Sequence, residues 1–263
     1  MEILSSDVDL DGFFARLGCS QERVLFLDFD GTLAPFRDNR HEVAPYDGVR
    51  QRLNAMLRHG HTRLVVVTGR VVAEMPELLG LNPTPEIWGT HGWERRYPDG
   101  SLEVPDLDAR TERALAAAHE HTQALDLGDR LERKPATVAV HTRGLSSREA
   151  SDLVERVEGL WRPLAEETAA ELHAFDGGVE MRVPGCDKGT AVATVLGELE
   201  DPVVAYLGDD QTDEDGFRAL GGWGLSVLVR DEFRETAADL WIQPPDELLQ
   251  WLDRWHEASK GDP

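Results

Sequence analysis

The chain has 263 residues, of which 41% are hydrophobic, so it can bury the core of one large domain, or of a core domain with an insertion, and disorder throughout is excluded. Fifty acidic residues against 27 basic residues give a formal net charge of −23, which argues against nucleic acid and anionic membrane surfaces as partners. The acidic residues are spread along the chain, which is typical of a highly soluble surface or of adaptation to high salt.

The start of the chain and its cysteines indicate the compartment. The first residues, MEILSSDVDLDG, are acidic where a secretory signal has a basic segment followed by an apolar one. Apolar runs such as residues 64–67 are far too short to cross a bilayer. Cys19 and Cys186 set up neither a disulfide framework nor a zinc-ligand spacing. We therefore expect a cytoplasmic protein.

Strands and helices alternate along most of the chain. Apolar, β-branched runs predict buried strands at residues 24–27, 63–67, 203–207 and 225–228. Amphipathic patterns between them predict helices at residues 47–59, 73–79, 189–198 and 214–220. This alternation predicts an α/β fold with a parallel sheet covered on both faces. Ligands of such sheets gather at the carboxyl ends of the strands.

The middle of the chain has a different pattern. Two long helices are predicted at residues 107–127 and 148–164, and strands at residues 136–141, 171–174 and 179–183. These elements make a small α+β unit. Because α/β repeats occur before and after it, we predict that residues 97–183 are inserted into a core made of residues 1–96 and 184–263.

Asp28 and Asp30 directly follow the first predicted strand. The side-chain period of a strand places both carboxylates on one side, and Gly31 lets the backbone turn away. A polar turn after a strand is the alternative interpretation. Two neighbouring buried carboxylates become tolerable when a divalent cation lies between them, and oxygen ligands suit Mg²⁺. A carboxylate held in this way can attack phosphorus and form an aspartyl-phosphate.

A second acidic stretch, GDDQTDED at residues 208–215, follows the strand predicted at residues 203–207. It should therefore reach the same edge of the sheet as Asp28. An acidic helix N-terminus explains residues 213–215, because the helix dipole favours negative charge there. It explains Asp209 poorly, since Asp209 lies at the strand end. We predict that Asp209 and Asp213 supply one direct and one water-mediated magnesium ligand.

Two further segments have features of phosphate sites. Thr68, Gly69 and Arg70 follow a predicted strand, where a hydroxyl and backbone amides ahead of a helix can hold a phosphate, although this pattern is common. Lys188 opens a predicted helix, and its charge opposes the helix dipole there. It either pairs with Asp187 at the surface or meets an anion.

Taken in order, the segments D-x-D-G-T, T-G-R, K-G and G-D-D-x-T-D resemble the haloacid dehalogenase (HAD) superfamily of phosphatases. The resemblance implies a Rossmann-like core with an inserted α+β cap domain, and a bound Mg²⁺. It implies that Asp28 is the nucleophile and Asp30 the general acid and then base. The implied catalytic residues are Asp28, Asp30, Thr68 and Lys188, the phosphate contacts Gly69 and Arg70, and the metal ligands Asp28, Asp30 through its main-chain carbonyl, Asp209 and Asp213.

Four segments narrow the resemblance to trehalose 6-phosphate phosphatases: GTHGWERRYP (89–98), LERKPATVAVHTRG (131–144), GGVEMRVPGCDKG (177–189) and GDDQTDEDGF (208–217). Thr68 stands where serine is common, and Thr142 where the family has an aromatic residue. A lysine often found just before the E-x-R segment is absent, and no glycosyltransferase domain precedes the matching segments, so we expect a stand-alone form. The resemblance implies substrate contacts at His91, Glu132, Lys134, His141, Arg143, Glu180 and Arg182.

The cap residues have an alternative explanation. His141 and Arg143 share one strand face, as do Glu180 and Arg182, and such residues are also found on solvated sheet faces with cross-strand salt bridges. Sugar hydroxyls need donors and acceptors together, which these side chains supply. The family motifs favour the sugar-binding interpretation.

The sequence therefore predicts a Mg²⁺-dependent phosphatase that hydrolyses trehalose 6-phosphate to trehalose and phosphate through an aspartyl-phosphate. The alternatives are a phosphatase for glucosylglycerol phosphate or mannosyl-3-phosphoglycerate, a phosphomutase, and a non-catalytic sugar-phosphate sensor or synthase partner. We expect a small sugar-phosphate substrate, a monomer, no nucleic-acid or membrane partner, and functional pairing with a trehalose 6-phosphate synthase.

Overall fold

The structure is a computed structural model, and it describes residues 1–37, 42–175 and 177–261. It divides into two compact units. The core unit comprises Met1–Glu103 and Asp187–Pro263, and the cap unit comprises Val104–Cys186.

Strands and helices alternate along most of the core unit. The strands are β1 (Glu2–Ile3), β2 (Arg23–Leu27), β3 (Arg63–Val67), β4 (Glu86–Gly89), β5 (Glu94–Arg96), β6 (Leu102–Glu103), β7 (Leu131–Arg133), β8 (Thr137–His141), β9 (Glu171–Phe175), β10 (Gly178–Arg182), β11 (Val203–Gly208), β12 (Gly224–Val229) and β13 (Leu240–Ile242). The helices are α1 (Leu10–Cys19), α2 (Val49–His59), α3 (Met75–Leu79), α4 (Ala109–Gln123), α5 (Ser147–Thr168), α6 (Lys188–Leu196), α7 (Asp213–Leu220) and α8 (Asp246–Ser259). Among these described helices, none is both long enough and apolar enough to cross a membrane.

The core unit is built on one sheet, whose described strands lie in the order β1-β13-β12-β11-β2-β3-β4-β5-β6. Strands β13, β12, β11, β2, β3 and β4 pair in parallel, and β1, β5 and β6 add antiparallel edges. The predicted α/β fold with a parallel sheet is confirmed. Strands β4 and β13 and the helices α1 and α8 were not predicted, and the two strands have only four and three residues.

The central strand β2 shows why the sheet is buried on both faces. Leu25 and Leu27 pack into a cluster with residues of α1, α2 and α8. Val24 and Phe26 point to the opposite face, where they pack with residues of α6 and α7. All four side chains are at most 1% exposed, and burying each contributes roughly 2 kcal/mol. This anchoring fixes where the strand ends, and therefore where the following carboxylates lie.

The limits of the cap unit differ from the predicted ones. We predicted an insertion of residues 97–183, and the structure places Val104–Cys186 in the cap unit. The difference at the first limit arises because β5 pairs with β4 and β6 pairs with β5, which keeps residues 94–103 on the core sheet. At the second limit the cap unit runs a few residues further, to Cys186.

The cap unit contains a four-stranded antiparallel sheet, in the order β7-β8-β10-β9, with α4 and α5 packed against it. The register places Val140 opposite Val179, and Ala139 opposite Glu180, so apolar and polar residues alternate between the two faces. The helices are joined to each other by Trp161, whose Nε1 donates to the Thr122 hydroxyl at 2.7 Å. One sheet face therefore packs in the cap core, and the other presents polar side chains.

Candidate active site

The carboxyl ends of four neighbouring strands bring the predicted core residues together. Strand β2 ends before Asp28, β3 before Thr68 and β11 before Asp209, while His91 follows β4 in a short 3-10 turn. These strands are adjacent in the order β11-β2-β3-β4. The backbone amide of Asp28 also continues the sheet, because it donates to the Leu207 carbonyl at 2.9 Å. The predicted ligand edge is therefore where the functional side chains lie.

Asp28 is 3% exposed, and its two oxygens have different surroundings. Oδ1 accepts a hydrogen bond from Lys188 Nζ at 2.7 Å. Oδ2 is buried and has no hydrogen-bond partner among the residues that the structure describes. Burial raises the pKa of Asp28 to about 7; the Lys188 charge offsets part of this rise, whereas Asp213 and Asp30 add to it. A buried carboxylate oxygen without a hydrogen bond is unfavourable, and a cation next to it would relieve that cost.

Lys188 is the first residue of α6, and it is buried. Its ammonium donates to Asp28 Oδ1 and to Asp213 Oδ1, both at 2.7 Å. Burial by itself lowers the pKa of Lys188, but the carboxylates of Asp213 and Asp28 outweigh it and raise the pKa above its ordinary value. Asp187 is not its surface partner, since its carboxylate caps the helix at the amide of Thr190. The lysine meets anions in the interior.

Asp213 holds both Lys188 and the loop that follows β11. Its Oδ1 accepts from Lys188 and from the Tyr206 hydroxyl at 2.8 Å. Its Oδ2 accepts from the amides of Asp209 and Asp210 at 3.1 and 3.0 Å. These four donors occupy the lone-pair positions of a carboxylate. The structure therefore gives Asp213 a positioning role that the sequence did not predict, and its water-mediated metal contact stays a prediction.

Three carboxylates converge at this edge, and Asp28 and Asp209 have oxygens that are not saturated with donors and could bind a metal ion. Oxygens of Asp28, Asp209 and Asp213 lie within 4.8 Å of one another, and all three residues are buried. Burial raises the pKa of Asp209 well above its ordinary value, and the charges of Asp28, Asp213 and Asp210 add to that rise. Gly31 (φ +90°) makes the close approach to this group, because a Cβ there would lie 2.1 Å from Asp209 Oδ2. An all-oxygen, anionic donor set suits a hard divalent cation.

Asp30 and Arg70 form a two-pronged ion pair. Arg70 Nε donates to Asp30 Oδ2 at 2.6 Å, and Nη2 donates to Oδ1 at 2.7 Å. Nη1 of the same guanidinium also lies 3.6 Å from Glu74 Oε2. We predicted that Arg70 contacts the phosphate, whereas the structure shows it engaged with the carboxylate predicted to be the general acid. The backbone amide of Arg70 donates to the Thr68 hydroxyl at 3.2 Å, which fixes that hydroxyl at the strand end.

His91 lies over Gly69. A Cβ on Gly69 would stand 2.6 Å from Cε1 of the His91 ring, so a larger residue there would displace the ring. The backbone amide of His91 donates to the Thr68 carbonyl at 2.9 Å. His91 adopts a left-handed backbone conformation, with φ at +57°. The loop after β4 is thereby tied to the loop after β3, and the predicted substrate contact His91 lies beside the predicted phosphate contacts.

In the cap unit, charged residues meet on the polar face of the sheet. His141 Nε2 and Glu132 Oε2 lie 3.0 Å apart. Lys134 Nζ is 3.5 Å from Glu132 Oε2 and 3.9 Å from Glu180 Oε1. Glu132 and Glu180 are both opposite Ala139 on β8, one from each side, which places them in one row across the sheet.

The two predicted arginines of the cap unit lie at different places. Arg182 is 1% exposed and stands opposite Thr137 in the register of β10 with β8. Arg143 lies beyond the end of β8, where its side chain packs closely against Gly177. The sheet therefore brings Glu132, Lys134, His141 and Glu180 together directly, with Arg182 on the neighbouring row.

Residues 26–231 match the family model described as trehalose-phosphatase. The chain belongs to the trehalose-phosphatase family. A trehalose-phosphate phosphatase of Mycobacterium marinum is 31% identical over 246 residues, which cover 88% of this chain and 60% of that protein. The chain thus spans about three fifths of the length of this curated relative. The family predicted from the sequence is confirmed.

Solved structures of other proteins share the fold. The C-terminal domain of Candida albicans trehalose-6-phosphate phosphatase gives a TM-score of 0.81 at 20% identity, covering 98% of this chain and 99% of that one. The C-terminal domain of a trehalose synthase regulatory protein from the same organism gives 0.71 at 14% identity, covering 92% and 97%. Since one fold is shared by proteins with such different names, the function of this trehalose-phosphatase family member has to be argued from its site residues.

Proposed function

We propose that this protein is a Mg²⁺-dependent phosphatase that hydrolyses trehalose 6-phosphate through an aspartyl-phosphate on Asp28. The observation that carries the proposal is the asymmetric environment of Asp28. Lys188 holds one oxygen, while the other is buried without a hydrogen bond among the described residues, beside Asp209. Lys188 orients the carboxylate through Oδ1, and Oδ2 keeps lone pairs that no described donor occupies, so Oδ2 is the oxygen that we assign to the attack on phosphorus. The relative in Mycobacterium marinum bears the name trehalose-phosphate phosphatase, which supports the choice of substrate.

In the first step, Asp28 Oδ2 attacks phosphorus, and the bond between phosphorus and the sugar oxygen breaks. The Asp30 carboxyl gives its proton to the departing sugar oxygen. Lys188 holds Asp28 Oδ1, and the ammonium hydrogen that is not used for Asp28 or Asp213 is the donor that we assign to a phosphoryl oxygen. Asp28, Asp209 and the Asp30 carbonyl are the groups that would hold Mg²⁺, which would supply positive charge to offset the charge that develops on the phosphoryl group.

In the second step, Asp30 takes a proton from water as the water oxygen attacks phosphorus. The bond between phosphorus and Asp28 Oδ2 breaks, which releases phosphate and restores the carboxylate.

The ion pair between Asp30 and Arg70 bears on both steps. Both oxygens of Asp30 accept from Arg70 in the structure, so one of these hydrogen bonds has to open before Asp30 can transfer a proton. A phosphate dianion that draws Arg70 toward itself would open it. The predicted contact of Arg70 with phosphate would then free the Asp30 carboxyl to act as the acid.

The polar face of the cap sheet is the part that we assign to the sugar. Glu132, Lys134, His141 and Glu180 hold one another at 3.0 to 3.9 Å, so acceptors and donors are already oriented. Trehalose offers many hydroxyl groups, each of which donates and accepts. Such a face favours a disaccharide phosphate over a small phosphate ester, because the ester leaves these groups without partners.

The metal is tested by removing and restoring it. Protein treated with a chelator should release phosphate from trehalose 6-phosphate only after Mg²⁺ is added. Asp209→Asn should lower phosphate release at sub-saturating Mg²⁺ by on the order of 100-fold, since a metal ligand loses its charge. The matched control is Asp215→Asn on α7, where the half-buried carboxylate pairs with Arg218. Equal activity of the two variants, or full activity without any divalent cation, would refute the metal dependence.

Sugar selection is tested at Glu180, which is 2% exposed. Glu180→Ala should lower kcat/KM for trehalose 6-phosphate by on the order of 100-fold, because it removes an acceptor for the sugar hydroxyls and one of the two carboxylates beside Lys134. Its kcat/KM for p-nitrophenyl phosphate should change little. Glu171→Ala is the control, because Glu171 is an exposed glutamate of the same sheet. Equal losses on both substrates would show that Glu180 does not select the sugar.

A further inference from the structure

The segment after β12 contacts the loop that carries Asp209. Arg234 Nε donates to the Asp209 carbonyl at 3.1 Å, and Nη2 donates to the Asp210 carbonyl at 2.8 Å. Arg230 Nη1 approaches the Asp209 carbonyl as well, at 3.4 Å. The family model matches residues 26–231, so Arg234 lies outside the matched segment. One guanidinium thus holds two successive carbonyls of the acidic loop.

The same guanidinium is itself fixed by Glu214, in the first turn of α7. Arg234 Nη1 donates to Glu214 Oε1 at 2.5 Å. Glu214 is 7% exposed, and its oxygens also accept from the Thr236 hydroxyl at 2.7 Å and from the Ala237 amide at 2.8 Å. A planar guanidinium gripped in this way is oriented and has little rotational freedom. The segment at residues 234–237 therefore fastens both the loop and the start of α7.

The loop needs such a fastening because it concentrates negative charge. Residues 209–215 contain five acidic side chains, and Asp28 lies beside them. Their mutual repulsion opposes the geometry in which the carboxylates of Asp28 and Asp209 converge. The backbone conformation of Asp209 determines where its side chain lies. Arg234 fixes that backbone by hydrogen bonds to the carbonyls of Asp209 and Asp210.

We propose that Arg234 is a positioning residue for the metal ligand Asp209, which it keeps in the conformation that binds Mg²⁺. The proposal rests on the metal dependence proposed above. It concerns the affinity for the metal, and Arg234 acts through the backbone carbonyls of Asp209 and Asp210.

Loss of Arg234 should change the affinity for Mg²⁺ in opposite directions, depending on whether Arg234 acts by positioning the loop or only by its charge. Removing a positive charge near the site strengthens its attraction for Mg²⁺ if charge is all that matters. Removing the grip on the backbone weakens Mg²⁺ binding. Arg218 supplies the matched control, since it lies on α7 and pairs with Asp215 at 3.1 Å, with 64% of its side chain exposed. Arg218→Gln also removes one positive charge, and the hydrogen bond that it loses is to the Asp215 side chain, not to the loop backbone.

The experiment is calorimetric titration of Mg²⁺ into the metal-free full chain. Arg234→Gln should raise the Kd for Mg²⁺ by about tenfold, the size of effect seen when a partner of a metal ligand is lost. Arg218→Gln should leave the Kd unchanged or lower it. Arg234→Lys keeps the charge but loses the planar guanidinium that donates to both carbonyls, and it should also weaken Mg²⁺ binding. At saturating Mg²⁺, kcat of the Arg234 variants should return to within about twofold of the wild-type value.

The possible outcomes separate the two proposals. If Arg234→Gln binds Mg²⁺ as tightly as Arg218→Gln does, the positioning role is refuted and the metal dependence stands. If the wild-type chain shows no Mg²⁺ binding that Asp209→Asn removes, the metal on which both proposals rest is refuted. Should Arg234→Gln fail to fold, Arg234→Lys and Glu214→Gln provide the same comparison, and unchanged Kd values in both would contradict the proposal.

Discussion

Asp28→Asn should lower phosphate release from trehalose 6-phosphate by at least about 10⁴-fold while the protein stays folded. The substitution preserves the shape of the side chain and keeps an oxygen that can accept from Lys188. The amide cannot attack phosphorus, so the covalent step is lost, and loss of a nucleophile has effects of this size. The measurement is phosphate release under single-turnover conditions, with circular dichroism to establish folding.

Trapping of the intermediate gives the control for this prediction. Wild-type protein quenched in acid during turnover of radiolabelled substrate should retain the label, and Asp28→Asn should retain none. Robust phosphate release by a folded Asp28→Asn variant would contradict the covalent mechanism. So would label that is retained by the variant as strongly as by the wild type.

Lys188→Met should lower the free energy of unfolding by about 3 kcal/mol and abolish phosphate release. The ammonium lies between Asp28 and Asp213, at 2.7 Å from each, and all three side chains are at most 5% exposed. Removing it leaves two buried carboxylates without their counter-charge, and an uncompensated buried charge strongly destabilises the folded state. Denaturant unfolding of the metal-free protein measures the effect.

Two comparison variants show whether the burial of the ion pair causes the loss of stability in Lys188→Met. Lys188→Met combined with Asp213→Asn should be more stable than Lys188→Met alone, because one of the two stranded charges is gone. Lys260→Met removes a surface lysine that pairs with Glu257, and it should cost less than about 1 kcal/mol. A Lys188→Met variant no less stable than Lys260→Met would show that the buried pair contributes nothing to folding.

The parts of the site that local sequence predicts are those whose placement follows from a strand end. Leu25 and Leu27 have to be buried, so β2 is readable from its apolar run, and the carboxylate of Asp28 must follow at the sheet edge. The same reasoning locates Thr68 and Asp209. Each of these predictions needs only a buried strand and the rule that parallel strands present their carboxyl ends together.

Contacts between distant segments could not be predicted in this way. Asp213 was interpreted as a water-mediated metal ligand because of its spacing from Asp209, and that contact stays a prediction. The structure adds hydrogen bonds from Tyr206 and Lys188, which lie on other elements. The sequence feature that could have indicated the contact with Tyr206 is a tyrosine in an otherwise aliphatic strand. No pattern in the sequence relates Arg234 to the acidic loop, so its contacts could not be predicted.

Strand β4 was missed for a related reason. It contains Glu86, a residue that is unfavourable in a buried strand unless it is paired. In the structure, Glu86 accepts from Arg63, Arg95 and the indole of Trp88, each at 2.9 Å. These partners come from three strands, so the burial of Glu86 becomes tolerable only after the sheet has formed. In the cap unit, β7 is likewise defined by its pairing with β8.

The most direct test of the central claim is phosphate release by wild-type protein from a panel of sugar phosphates, with and without Mg²⁺. The panel contains trehalose 6-phosphate, glucosylglycerol phosphate, mannosyl-3-phosphoglycerate and glucose 6-phosphate. We predict that trehalose 6-phosphate has the highest kcat/KM, that trehalose and free phosphate form in equal amounts, and that release requires Mg²⁺. Preference for another member of the panel, an isomerised sugar phosphate without free phosphate, or binding without turnover would contradict the claim.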